Sequence, residues 1–117
     1  MNIGIVTTWF ECGAGYVSKG YERILGTEHK IFIYARGGMA ANSEVWCESN
    51  VTTAPVHWCS TGIHEKHFLK WIRQNSIEIV LFNEQRHWAG VLSAIRSGVV
   101  VGGYVDYYTA DTAPFFD

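Results

Sequence analysis

The chain has 117 residues, 48% of them apolar and 17% charged, and a formal net charge of −2. That length suits one domain with a real core and excludes two, and the apolar content excludes a disordered chain. No basic excess exists to neutralise phosphates, which sets nucleic-acid binding aside, and no apolar run approaches the roughly 20 residues of a membrane span.

Residues 2–7 read as a buried strand that begins at once, with no basic region or small-residue cleavage site before it. A secretory signal is therefore not expected. Three cysteines without paired spacing, Cys12, Cys47 and Cys59, point to free thiols and a cytoplasmic location. A loop over 9–15 ends in Gly13 and Gly15. Residues 16–25 then place Val17, Tyr21, Ile24 and Leu25 on one helical face, with Gly20 marking close packing on a sheet and Gly26 a stop. Residues 29–34 (H-K-I-F-I-Y) form a second strand, which Arg36-Gly37-Gly38 ends in a turn. An irregular crossover follows through residue 50. The third strand falls within 51–58, where Pro55 places it at an edge. Thr61 is positioned to cap a helix reaching about residue 75, with Phe68, Leu69 and Ile72 inward. Residues 77–82 (I-E-I-V-L-F) make a central strand. Trp88, Val91, Leu92 and Ile95 mark the inward face of a helix that stops at Gly98. Residues 99–105 are the fifth strand, with Gly102-Gly103 expected at a close backbone approach, and 106–117 a loop.

Strands alternating with helices imply parallel pairing through right-handed crossovers, and nearly all-apolar strands imply a sheet covered on both faces. The expected fold is α/β: a Rossmann-like three-layer domain with a five-stranded parallel sheet in order 3-2-1-4-5. In such sheets ligands bind outside the C-terminal strand ends, near the point where strand order reverses. That rule selects the loops after strands one, four and five. The carboxylates Glu84 and Asp106 follow inner strands, and acid–base work or sugar hydroxyls would use them. A cap or a loop hydrogen bond is the alternative for each. Asn83, Gln85, His87 and Tyr107 join them, with Arg36 at the end of strand two. Six aromatics fall in loops, Trp9, Phe10, Trp46, Trp58, Tyr107 and Tyr108. They either line a cleft or partner surface or add to the core.

Gly13-Ala14-Gly15 lacks the third glycine of a dinucleotide fingerprint, since Ser18 stands there, and the acid expected after strand two is replaced by Arg36. An NADP-linked oxidoreductase is thus the weaker enzyme alternative. His57, Cys59, His64 and His67 are zinc-ligand types in a spacing that matches no common site, so no metal and no cofactor is expected. Thr7, Thr8 and Trp9 stand where a response regulator needs acids for Mg²⁺.

The opening M-N-I-G-I-V-T-T-W-F-E-C-G-A-G-Y-V-S-K-G-Y resembles the start of family 4-like bacterial glycosyltransferases, as do H-K-I-F-I-Y-A-R-G-G, I-V-L-F-N-E-Q and G-G-Y-V-D-Y-Y-T. The resemblance spans the chain and is always to the N-terminal Rossmann-like domain. It implies half of a GT-B fold over residues 1–117: the acceptor-side domain, with the donor-binding C-terminal domain absent. The implied enzyme uses a nucleotide-sugar donor, is retaining and metal-independent, and is expected to be inactive as this chain alone. Its implied partners are a sugar or glycan acceptor and, through the missing half, the donor. Gly13 and Gly15 would approach donor phosphates or acceptor. Many members carry a His after strand five, where this chain has Val105-Asp106. A stand-alone flavodoxin-like binding module is the competing class.

Overall fold

The computed structural model describes residues 1–36, 44–59 and 61–104. The element order is β1 (Asn2–Thr8), α1 (Gly13–Leu25), β2 (Lys30–Arg36), β3 (Val51–Thr53), α2 (Glu65–Gln74), β4 (Ile79–Asn83), α3 (Trp88–Arg96) and β5 (Val100–Tyr104). The five strands form one sheet in order β3-β2-β1-β4-β5. Every pairing is parallel, with Ile5 opposite Ile33 on one side and Leu81 on the other, and Asn83 opposite Tyr104. This is the Rossmann-like arrangement expected from the strand–helix alternation. No helix among the described residues is long and apolar enough to cross a membrane.

Side chains alternate across each strand, so the sheet has two distinct faces. Ile3, Ile5, Ile31, Ile33 and Ala35 meet Tyr21 and Leu25 of α1. Val6, Tyr34, Val80 and Phe82 meet Phe68, Trp71 and Ile72 of α2 and Ala94 of α3. Tyr34, Phe68 and Trp71 form an aromatic knot, with ring centroids 4.9–5.7 Å apart.

Several local expectations need correction. α1 starts at Gly13, so both loop glycines lie in its first turn. Arg36 lies inside β2, whose pairing with β1 continues to Thr8 and Arg36. α2 is capped at His64, not Thr61. The inward faces of α1 and α3 also differ from the apolar stripes. α1 buries Gly15 and Ser18 and leaves Val17 and Ile24 exposed. α3 buries Gly90, Ser93 and Ala94, with Leu92 48% and Ile95 54% exposed. Small residues make the closest approach, Tyr21, Leu25 and Val91 still pack on the core, and Val17, Ile24, Leu92 and Ile95 turn outward. Gly20 has open space where a side chain would be, so it marks no close packing. The stop at Gly98 is as expected, with φ of +91° in the left-handed region that favours glycine. The crossover residues 37–43, and residues 105–117, lie outside the described residues.

Candidate functional site

β1 and β4 are neighbours whose following chains turn to opposite faces, and the polar residues gather where they part. On the α1 side, the β1–α1 loop folds inward. Trp9 is fully buried, its carbonyl accepts from Trp46 N at 2.9 Å, and the two indoles meet edge to face at 5.4 Å. Lys19 Nζ lies 3.9 Å above the Trp46 ring, a cation–π contact that joins α1 to the segment before β3. Trp9 thus belongs to the core. Cys12 caps α1, its Sγ accepting from Gly15 N at 3.4 Å. A side chain at Gly15 would collide with the Phe10 carbonyl, so the loop passes too close for any Cβ.

A hydrogen-bond seam runs beneath this turn. Asn83 Nδ2 donates to Ala14 O at 3.0 Å and to Ser18 Oγ at 2.8 Å. Ser18 and Thr7 share a 2.7 Å bond, and Thr7 Oγ1 donates to Thr8 O. The proton order that fits is Asn83 to Ser18 to Thr7 to Thr8. Among the described residues, Asn83 Oδ1 is buried without a partner. Beside the seam, a cavity of about 160 Å³ is lined by Ile5, Tyr21, Leu81, Asn83, Gly103 and Tyr104. The expected close backbone approach is found at Gly103, where a Cβ would press on the Phe82 carbonyl; at Gly102 it would meet the Leu81 side chain.

On the α2/α3 side, Arg36 is 3% exposed. Its Nε donates to Gln85 Oε1 at 2.9 Å and its Nη2 to Asn83 O. Gln85 Nε2 donates to Thr61 O at 2.6 Å and His87 O at 2.7 Å. Thr61 Oγ1 accepts from His87 N at 3.0 Å and Arg86 N at 3.3 Å. Burial lowers the Arg36 guanidinium to about 10, with Glu84 opposing the fall, so it stays charged at neutral pH. Glu84 stands at a φ of 55°, an uncommon conformation for a residue with a side chain, and its N–H bonds Tyr104 O at 3.1 Å.

The structure therefore brings Asn83, Glu84, Gln85 and Arg36 together at the C-terminal edge, with Gly13 and Gly15 across the seam on α1. His87 caps α3 without a side-chain bond to the helix. Asp106 and Tyr107 lie outside the described residues. Thr61 emerges as a hub between two loops, a role that its sequence neighbours did not signal. The histidines also regroup. His67 turns to Tyr34, with Nδ1 and the hydroxyl 2.7 Å apart, while His57 neighbours His64 at 4.9 Å and His87 at 5.0 Å between ring centroids. Among the described residues, no group of three His, Cys, Asp or Glu is placed to hold a metal ion.

Fold and edge together define a Rossmann-like α/β domain with a polar C-terminal rim. No protein-family model matches the chain, and comparisons with curated proteins and with solved structures give no match either.

Proposed function

We propose that the chain is the acceptor-side domain of a nucleotide-sugar-dependent glycosyltransferase, with the C-terminal strand edge as its sugar-facing surface. The observation that carries this reading is the way the edge is built. A dinucleotide domain presents free amides at the start of its first helix to a pyrophosphate. Here the Gly15 amide is taken by Cys12 Sγ, and the Phe10 carbonyl crowds the same turn. Arg36, which an NADP site would aim at a 2′-phosphate, donates inward to Gln85 and Asn83. The edge is stiffened from within instead, and it carries a carboxylate at Glu84 beside Tyr104. Such a surface suits hydroxyls, which need acceptors, and leaves the donor's phosphates to another domain. In this reading Glu84 and Asp106 are the carboxylates that orient or deprotonate an acceptor hydroxyl. The strained backbone at Glu84 is consistent with a functional position.

Two assays on the purified chain test the reading. Saturable binding of simple glycosides, with no transfer from any nucleotide-sugar, is the expected pair of results. Turnover by the chain alone would refute the half-enzyme reading, and tight binding of NADPH would favour the oxidoreductase alternative.

A further inference from the structure

Trp58 is 82% exposed, in contrast to Trp9 and Trp71, which are buried. An indole held in water forgoes the burial that usually places it. Yet the turn that carries Trp58 is firmly tied. Cys59 N donates to His57 Nδ1 at 3.0 Å, and Gly62 N donates to Cys59 O at 2.8 Å. The His57 ring rests directly on Gly62, where any Cβ would overlap it. Val56 O accepts from His64 Nε2 at 2.9 Å, which fixes the other side of the loop. The indole itself lies 5.4 Å from the His57 ring at 33° and edge-on to His87 at 6.3 Å and 83°. It is thus an exposed ring with a supported geometry, standing on the same strand edge as the Arg36–Gln85–Thr61 network.

We propose that Trp58, with His57 and His87 beside it and His64 against His57, is a stacking subsite for a neutral saccharide ring; this rests on the acceptor-side reading. A pyranose offers an apolar C–H face and a rim of hydroxyls. One indole face matches the first, and imidazole nitrogens at the rim match the second. The bonds already made fix the complement. His57 accepts at Nδ1, so in its neutral form Nε2 carries the proton and donates. His64 donates at Nε2, so in its neutral form Nδ1 accepts. His57 therefore offers a donor next to the indole, and His64, against His57, an acceptor. A single indole flanked by rings fits one sugar ring rather than a peptide strand or helix, which needs a groove. Partial burial, then His87 and His64, hold the His57 imidazole below its ordinary value.

The test is an NMR titration of the whole chain with the methyl glycosides of glucose, galactose, mannose and N-acetylglucosamine, up to about 10 mM. At least one glycoside should shift the Trp58 indole N–H saturably, and Trp58→Ala should weaken that binding at least about tenfold while circular dichroism stays unchanged. Glycoside binding that leaves the Trp58 indole unmoved, or that Trp58→Ala does not weaken, overturns the subsite and leaves the acceptor-side reading standing. Absence of binding by all four glycosides overturns both. Inorganic phosphate shifting the same indole as strongly as any glycoside overturns the saccharide assignment. The indole shift is read on the unaltered chain, so a variant that fails to fold does not rescue the proposal.

Discussion

On the face covered by α2 and α3, Tyr34, Phe68 and Trp71 stack into an aromatic knot against Val6, Val80 and Phe82. On the face covered by α1 alone, the interior gives way toward the C-terminal edge to Thr7, Ser18 and Asn83 and then to a cavity. The first face holds the larger apolar core, with the buried Arg36–Gln85–Thr61 network at its C-terminal end; the second mixes a smaller core with a polar seam. Apolar area thus dominates one side of the sheet and a polar seam the other, and changes in the aromatic knot and in the polar bonds should read out differently.

The largest expected effect is on the aromatic face. Phe68→Ala removes a fully buried ring and should cost about 3–5 kcal/mol in urea unfolding. An equal loss from a seam residue would break the comparison. Next comes Arg36→Lys, which keeps the charge but not the fork that reaches Gln85 and Asn83 O; a loss of about 1.5–3 kcal/mol is expected by the same measurement. Ser18→Ala should cost about 1 kcal/mol, because it cuts the relay between Asn83 and Thr7. Smaller still is a pH effect at His57. Its folded value lies below the ordinary 6.5, so the folded chain binds fewer protons than the unfolded chain between the two values. That contribution is present above 6.5 and lost as pH falls through the lowered value. His57→Gln should flatten the acid limb of a stability–pH profile. Smallest of all, Leu92→Ser should stay within about 0.5 kcal/mol, since that side chain faces water.

The sheet order was legible because strand–helix alternation and all-apolar strands leave few topologies for a chain of this length. Phe68 and Ile72 were legible as core for the same reason: α2 has a strong apolar stripe and packs by it. The stripes on α1 and α3 were right for Tyr21, Leu25 and Val91 and wrong for Val17, Ile24, Leu92 and Ile95, because the fully buried positions are Gly15, Ser18, Gly90, Ser93 and Ala94, which carry little hydrophobic signal. At the site, the strand-end rule located Asn83, Glu84 and Gln85, and the end of strand two marked Arg36, but neither showed their partners. Arg36 reaches Gln85 from 49 residues away, and Gln85 reaches Thr61 from 24. Spacing along the chain holds no record of such contacts. The histidine cluster shows the same limit: His64 and His67 look paired in sequence, yet His67 joins Tyr34, and His87 arrives from another loop to meet His57.

The central claim is that the C-terminal strand edge is the ligand-facing surface and that the ligand is a sugar. Amide-shift mapping of the whole chain with a bound glycoside tests it most directly. The account predicts perturbations concentrated at Ala14, Asn83, Glu84, Gln85 and His87, with none at Asn2, Lys30, Glu78 and Val100 on the opposite edge. Shifts confined to that opposite edge, or shifts at Gly13 and Gly15 produced by NADPH and not by any glycoside, would contradict it.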